Sequence, residues 1–270
     1  NISERNTSKI SIGAWAKKLK MIWLFPARDF IFLVGSSVLG IILGSFYTVC
    51  IDRFIRGESI VSPLFSHCPT CGKQLKAYEL VPIFSYFFLR GRCSSCNAKI
   101  GLFYPVVEFG TGAIAALLAL RFGPTIQFGV YLFFFSLLII ASGIDFKIMI
   151  IPDWITLGAT LPAILCAVFI LRLPWAQSLT GGAVGFFSFW LLRALYRKIR
   201  RTEGLGLGDA KLILFIGTLC GIKALPDIVL VASLGALLFS LVVKQKKLFF
   251  GPFLSIGAFV SVIDPIALLP

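Results

Sequence analysis

The stretch TIQFGVYLFFFSLLIIASGID, residues 125–145, decides the fold of this chain. Its first twenty residues carry no charged side chain, and they end directly at Asp145. About 20 consecutive apolar residues are what an α-helix needs to cross the hydrocarbon core of a bilayer, so the stretch predicts a membrane-spanning helix. An ionisable residue beside such a helix is costly to keep near lipid, which makes Asp145 a functional candidate.

Similar apolar runs recur along the 270 residues, of which 58% are hydrophobic and only 14% are charged. Soluble domains contain roughly 45–50% apolar and about 25% charged residues. We therefore predict an all-α polytopic membrane protein with about eight transmembrane helices and a small cytoplasmic zinc-binding loop domain. The predicted spans are 30–51, 104–120, 125–144, 154–171, 179–192, 212–225, 228–243 and 249–269.

Basic residues outnumber acidic ones, 26 against 12, which gives a formal net charge of +14. We expect no nucleic-acid partner, because no basic stretch outside the spans interleaves with aromatic residues that would stack on bases. The loops at 52–103, 145–153, 193–211 and 244–247 hold seventeen Lys and Arg, whereas the alternate loops hold three. Because cytoplasmic loops collect positive charge, the first set is predicted to face the cytoplasm.

The segment 1–29 carries six Lys and Arg, although eight spans place it on the opposite side. Between residues 12 and 25 these lysines alternate with Trp and Leu, a composition that suits an amphipathic helix lying in the headgroup region. An irregular terminal extension and a ninth span are the alternatives. The predicted organisation is thus a basic segment 1–29, a first span 30–51, a four-cysteine domain 52–103 and a seven-helix membrane core 104–270.

The loop 52–103 contains two C-x-x-C pairs, Cys68/Cys71 and Cys93/Cys96. Each pair places two thiolates on one tight turn, and two such turns supply the four tetrahedral sulfurs that structural zinc prefers. A disulfide framework is disfavoured because the cytoplasm is reducing. Reduced thiols without metal, or a redox pair, are the alternatives. His67 adjoins Cys68, but four thiolates already complete a structural site.

Two aspartates at span ends lack a structural explanation. Asp153 follows Pro152 at the start of a predicted helix, where a carboxylate favours the positive helix end. Asp145 has no such role, and Asp209 follows alternating glycines in GLGLGDAK, residues 204–211. Two carboxylates that share a site do not both ionise readily, so one keeps its proton while the other activates water. From spacing alone, a catalytic pair is one hypothesis for these two carboxylates. Proton or cation transport by membrane carboxylates is the other.

The chain resembles the type IV prepilin peptidase family over residues 35–220. The resemblance is carried by ordered motifs that read GSF (44–46), CPTC (68–71), PIFSY (82–86), LRGRCSSC (89–96), YPVVE (104–108), ID (144–145), IPD (151–153) and GLGDAKL (206–212). It implies an aspartyl endopeptidase of the bacterial inner membrane that removes the basic leader of prepilins or pseudopilins after a glycine. The catalytic pair would be Asp145 and Asp209, supported by Gly206, Gly208 and Lys211.

Relatives with the four-cysteine loop usually also methylate the new N-terminus with S-adenosylmethionine. By resemblance, Glu79, Arg90 and Glu108 are candidates for methyl transfer or substrate contact. Glu79-Leu80 stands where many members have an Asp-Asn-like pair, which weakens that assignment. The alternatives outside this reading are a membrane transporter, a non-catalytic zinc-loop scaffold in a secretion assembly, and a peptidase without methyltransferase activity.

Overall fold

A computed structural model describes residues 27–59, 65–200, 206–243 and 249–263. The predicted surface helix, whose apolar residues run from 12 to 25, lies outside these ranges. Within them the chain is helical, and the only strand-like pairings are two isolated β-bridges in the cysteine loop. The helices are α1 (Ala27–Arg56), α2 (Phe84–Phe88), α3 (Phe103–Phe122), α4 (Ile126–Ile148), α5 (Asp153–Phe169), α6 (Trp175–Arg200), α7 (Leu207–Cys220), α8 (Leu225–Val243) and α9 (Gly251–Ile263), with 3₁₀ turns at Ala77–Leu80 and Ile222–Ala224.

Each predicted span overlaps one long helix, so the all-helical prediction is confirmed. Five helical segments are long and apolar enough to cross a bilayer: α1, α3, α4, α6 and the continuous segment Ile222–Val243 that contains α8. The other three are shorter, with 17 residues in α5, 14 in α7 and 13 in α9. The chain is therefore a polytopic membrane protein by the composition and length of these five helices.

Small residues allow the long helices to pack closely. A Cβ added at Gly40 in α1 would lie 2.7 Å from the carbonyl oxygen of Thr111 in α3, and one at Gly44 would lie 2.8 Å from the Cα of Glu108. Gly181 in α6 and Gly217 in α7 face each other in the same way, each with its backbone where the other's Cβ would be. Membrane helices associate through such contacts because lipid provides little hydrophobic drive between them.

Helix α4 lies at the centre of the bundle. Phe134 and Phe135 in α4 are almost fully buried. The ring centroid of Phe134 lies 5.8 Å from that of Phe215 in α7, and the ring centroid of Phe135 lies 5.3 Å from that of Phe259 in α9. This packing brings the C-terminal end of α4 beside the N-terminal ends of α7 and α9. Asp145, in the last turn of α4, thereby meets segments that are 61 to 106 residues away in the sequence.

Several boundaries differ from the sequence prediction, the largest at the end of α6, which continues to Arg200, eight residues past the predicted end at residue 192. Helix α1 continues to Arg56, five residues past the predicted end of its apolar run, because the end of α1 packs on α3 and the cysteine loop. Helix α7 begins at Leu207 rather than at residue 212, and it ends at Cys220 because Gly221 adopts a positive φ of 83°. The segment 207–211, which sequence analysis treated as a glycine loop, is the first turn of a helix.

Candidate active site and metal centre

Asp145 lies in the last turn of α4 and is 5% exposed. Its Oδ2 atom accepts a hydrogen bond of 3.0 Å from the backbone N–H of Gly251, the first residue of α9. Helix N-termini carry unpaired N–H groups and a partial positive charge, so the start of α9 supplies a hydrogen-bond donor to this carboxylate. The neighbouring Met149 adopts a left-handed conformation (φ 56°) that ends α4 and directs the chain into the turn before α5.

Asp209 lies in the first turn of α7 and is 9% exposed. Its Oδ2 atom accepts a hydrogen bond of 3.3 Å from the backbone N–H of Gly206, the residue that caps the helix. A Cβ at Gly208 would lie 3.1 Å from the Cβ of Ile151. Gly208 therefore allows α7 to approach the turn between α4 and α5, and Gly206 positions the carboxylate.

Asp145 and Asp209 line one cavity of about 240 Å³, together with Met149, Ile150, Ile151, Asp153, Gly206, Leu207 and Gly208. The structure thus brings together two carboxylates that are separated by 64 residues in the chain, at helix ends on one side of the bundle. Such a pair can hold a water molecule between an acid and a base, which is the requirement for hydrolysis without a covalent intermediate.

Lys211 is placed differently from the other predicted site residues. Its Nζ atom lies 2.7 Å from Oδ1 of Asp153, whose carboxylate is 62% exposed, so Lys211 forms an ion pair at the rim of the cavity. Asp153 begins α5, as its helix-end interpretation predicts. It also partners Lys211, a contact that the sequence did not indicate.

The four cysteines Cys68, Cys71, Cys93 and Cys96 converge in the loop, with their sulfur atoms within 4.8 Å of one another. Each C-x-x-C pair is a tight hairpin: the N–H of Gly72 donates to the carbonyl of Cys68 at 2.9 Å, and that of Asn97 to the carbonyl of Cys93 at 3.1 Å. The backbone N–H groups of Cys71 and Thr70 lower the pKa of Cys68 to about 6. Four sulfurs in this arrangement match the tetrahedral donor set of a structural metal ion.

His67 does not belong to this cluster. Its Nδ1 atom lies 3.2 Å from the carbonyl oxygen of Phe65, and the ring is not among the grouped metal-binding side chains. Among the described residues of the loop, the four cysteines therefore form the metal-binding group without the histidine.

A second cavity, of about 280 Å³, lies between the cysteine loop and the ends of α1 and α3. Glu79 and Glu108 both line it, and both residues are buried. Glu79 is held by Lys73 Nζ at 3.0 Å, the backbone N–H of Lys76 at 2.7 Å and the hydroxyl of Ser94. These donors lower the pKa of Glu79 to about 2, with the backbone N–H of Lys76 as the largest cause.

Glu108 connects the loop to the membrane helices. Its Oε2 atom accepts a hydrogen bond of 2.6 Å from the backbone N–H of Ile83, which has a positive φ of 64°. Arg90 also has a positive φ, of 51°, but it is exposed and does not line the cavity. Of the three candidates for methyl transfer or substrate contact, the structure brings Glu79 and Glu108 together and leaves Arg90 apart.

Sequence analysis missed Gly251, Asp52 and Lys147. Gly251 precedes a proline at the start of the last helix, and only the fold reveals that its N–H faces Asp145. Asp52 lines the second cavity and accepts hydrogen bonds from Tyr104 and Lys147. In the sequence, Asp52 lies four positions before Arg56, a spacing that indicates only an ion pair within one helix.

A family model described as the bacterial peptidase A24 N-terminal domain matches residues 38–122, and one described as the type IV leader peptidase family matches residues 132–241. No solved structure gives a significant match.

Several curated proteins are similar over most of the chain. The prepilin leader peptidase/N-methyltransferase of Pseudomonas putida is 30% identical over 271 residues, covering 90% of this chain and 94% of that protein. The protein of the same name from Neisseria gonorrhoeae is 34% identical over 256 residues, covering 83% and 88%. The type 4 prepilin-like proteins leader peptide-processing enzyme of Escherichia coli O78:H11 is 34% identical over 257 residues, covering 85% and 93%.

Proposed function

Because the chain belongs to the type IV leader peptidase family, we propose that Asp145 and Asp209 hydrolyse the bond between the leader and the mature part of a prepilin or pseudopilin. One observation carries the assignment. Two buried carboxylates from distant parts of the sequence line the same cavity at the end of the helix bundle. Two further acidic residues of the membrane core have other partners or positions: Asp153 pairs with Lys211, and Asp227 lies in the first turn of α8 at the opposite end.

The chemistry follows from the pair itself. The ionised carboxylate takes a proton from water, and the oxygen of that water attacks the carbonyl carbon of the scissile peptide bond. The protonated partner donates a hydrogen bond, and then its proton, toward the substrate. On collapse of the tetrahedral intermediate, the first carboxyl passes the proton taken from water to the departing nitrogen, and its partner recovers a proton from the hydroxyl of the intermediate. The C–N bond then breaks and releases the leader carboxyl group and a new N-terminal amine. Both carboxylates act through protons alone, so no covalent enzyme intermediate forms.

The hydrogen-bond partners suggest how the two roles are divided. Asp145 accepts from the first N–H of α9 at 3.0 Å, a shorter contact than the 3.3 Å hydrogen bond from Gly206 to Asp209. A carboxylate that accepts a strong backbone hydrogen bond is favoured in its ionised form. We therefore assign Asp145 as the base that activates water and Asp209 as the acid in the first step.

The position of the pair suits a substrate anchored in the membrane. We propose that the five long helical segments and the shorter helices α5, α7 and α9 all cross or enter the bilayer, and that the end carrying both cavities faces the cytoplasm. The loops at that end hold seventeen basic residues against three at the other, and cytoplasmic loops are the ones that collect positive charge. A prepilin has its apolar helix in the bilayer and its basic leader in the cytoplasm, so its scissile bond would lie at the level of Asp145 and Asp209.

Zinc is the proposed occupant of the four-cysteine cluster. The donor set fits, because four thiolates within 4.8 Å of one another form a closed tetrahedral site without an open coordination position. Such a site is structural: it organises the two hairpins of a loop that is too small to fold around a core of its own. The loop in turn forms one wall of the second cavity.

We propose that the second cavity is where the new N-terminus is methylated. S-adenosylmethionine supplies an electrophilic methyl group when it is bound. The residues present fit a polar ligand that carries both charges, because the lining combines carboxylates, among them Glu79 and Glu108, with the basic side chains of Arg53, Arg56 and Lys99 and with apolar side chains of the loop. Glu79, with three donors, organises the loop, and Glu108 holds the loop against α3 and faces the cavity.

The decisive test uses purified protein and a prepilin with its leader attached. Asp145→Asn and Asp209→Asn are expected to abolish leader removal, and Asp29→Asn, which removes a carboxylate from the opposite end of α1, is expected to leave it intact. Labelled S-adenosylmethionine added to the same reaction reports the second activity. Leader removal that survives either active-site substitution would reject the assignment, and a mature product that stays unmethylated would reject the second site.

A further inference from the structure

Asp52 in α1 lines the second cavity and contacts the last turn of α4, the turn that also carries Asp145. Its Oδ2 atom accepts a hydrogen bond of 2.6 Å from the hydroxyl of Tyr104 in α3, and its Oδ1 atom lies 2.5 Å from Nζ of Lys147 in α4. Neither charged group is sealed from water, because the side chain of Asp52 is 15% exposed and that of Lys147 is 26% exposed. Asp52 and Tyr104 also line the cavity beneath the cysteine loop.

Aromatic rings complete the surroundings of the Lys147 ammonium. Its Nζ atom lies 4.3 Å from the ring centroid of Phe103 and 5.3 Å from that of Tyr104. A carboxylate that accepts a charge-assisted hydrogen bond, together with the faces of two aromatic rings, is the combination with which proteins bind ammonium groups. The molecule therefore contains a formed ammonium site, filled by a side chain of its own.

The location of this site relates it to the peptidase pair. Lys147 follows Asp145 by two residues, and two residues correspond to a rotation of about 200° around a helix. Asp145 consequently faces α7 and α9, while Lys147 faces α1 and α3. The last turn of α4 forms a wall with the hydrolytic cavity on one side and the ammonium site on the other.

We propose that Asp52, with the rings of Phe103 and Tyr104, binds the N-terminal ammonium of the cleaved product, and that Lys147 occupies this site until the product arrives. The inference rests on the proposed function, because hydrolysis creates that ammonium. Before cleavage the same nitrogen belongs to an uncharged peptide bond, so the site distinguishes product from substrate. Captured at Asp52, the new N-terminus lies at the mouth of the cavity assigned to methylation.

The exchange of one ammonium for another costs little. Lys147 has a long flexible stem and is already partly solvated, so its charge can move into water when the product displaces it. Arg56, at 3.8 Å from Oδ2 of Asp52, remains on the other side of the carboxylate and is not displaced. Lys147 thus competes with the product for Asp52, so removal of the lysine should strengthen binding of the product.

The test measures binding of a synthetic mature product to the purified full chain in detergent micelles, with the product either free or acetylated at its N-terminus. Asp52→Asn is expected to weaken binding of the free-amine product about tenfold, and to leave binding of the acetylated product unchanged. Lys147→Met is expected to strengthen binding of the free-amine product several-fold, because the competing cation is removed. Asp52→Glu is expected to restore part of the preference, and Asp29→Asn controls for loss of a charge in α1.

The opposite directions separate this inference from a structural ion pair. If Asp52 and Lys147 only hold α1 against α4, both substitutions will weaken binding, and they will act equally on free and acetylated product. That result overturns the inference, as does a free-amine preference that survives Asp52→Asn. Zinc content and the melting temperature establish that each variant is folded. Because no bond is cleaved in this assay, its outcome is independent of the leader-removal test of Asp145 and Asp209.

Discussion

The backbone N–H of Gly251 donates a hydrogen bond of 3.0 Å to Oδ2 of Asp145, across 106 residues of sequence. A Cβ at position 251 would lie 2.8 Å from the same oxygen, which is closer than the Cβ atoms of real side chains approach a neighbouring atom. Glycine at the start of α9 is therefore what permits the N-terminus of that helix to contact the carboxylate. Helix α9, the last helix among the described residues, thereby positions one half of the aspartate pair.

Gly251→Ala is expected to lower the rate of leader removal by about tenfold or more. The added methyl group would push Asp145 away from the helix N-terminus, and overpacking of this kind costs about 1–3 kcal/mol. The measurement is the rate of product formation at saturating prepilin. Gly129→Ala, in open space near the start of α4, is the matched control and should retain the wild-type rate. Equal rates for the two variants would show that the Gly251 contact does not position Asp145.

Lys211→Met is expected to reduce leader removal by less than about tenfold. The ammonium of Lys211 lies on the exposed carboxylate of Asp153, and exposed ion pairs contribute about 0–1 kcal/mol. Removal of a catalytic group that acts as part of a pair costs about 10³-fold or more. The comparison is the ratio of the rates of Lys211→Met and Asp209→Asn measured side by side. A loss as severe as that of Asp209→Asn would place Lys211 in the catalytic machinery.

Cys71→Ser is expected to release the metal and unfold the loop. Purified wild-type protein should hold about one zinc ion per chain, because four thiolates form one closed site. Elemental analysis measures the content, and hydrogen exchange over residues 65–101 reports the loop. Cys166→Ser, in α5 and remote from the cluster, should keep its zinc. Wild-type protein that contains no metal would contradict the assignment.

Glu79→Gln is expected to lower the unfolding temperature of the cysteine loop, because a neutral amide accepts weaker hydrogen bonds from Lys76, Ser94 and Lys73. The pKa of Glu79 is lowered to about 2. A carboxyl with a depressed folded-state pKa stabilises fully above its ordinary pKa of about 4.3, and this contribution is lost as the pH falls towards 2. The difference between the two proteins should therefore be constant from pH 5 to 8.

Glu58→Gln is the control for this experiment. Glu58 lies 3.7 Å from Arg56 in an ion pair whose side chains are 37% and 35% exposed, and such pairs contribute little to stability. Its unfolding temperature should match the wild-type value. A difference between wild type and Glu79→Gln that varies between pH 5 and 8 would mean that Glu79 titrates there, contrary to its contacts.

Much of the fold could be predicted from the sequence because the membrane constrains it strongly. Long runs without charge indicated each helix, and two C-x-x-C pairs indicated the metal cluster, since both signals are local. Helix boundaries were less predictable. Asp209 followed three alternating glycines and was assigned to a loop, but its carboxylate accepts the N–H of Gly206 and thereby starts α7 five residues early.

Contacts between distant residues could not be predicted. Gly251 contacts Asp145 across 106 residues, and Lys147 contacts Asp52 across 95. Neither pair has a sequence pattern, because both depend on how the helices pack. Arg90 lies in a motif beside Cys93, but it is exposed and is not among the residues that line the cavity of Glu79 and Glu108, so its role in methyl transfer or substrate contact stays a prediction.

The central claim is that Asp145 and Asp209 together cleave the leader, and mass spectrometry of the product tests it most directly. Wild-type protein incubated with a leader-bearing prepilin should yield the shortened chain, whereas Asp145→Asn and Asp209→Asn, each with wild-type zinc content and melting temperature, should leave the precursor at its full mass. A shortened product from either folded variant would contradict the account.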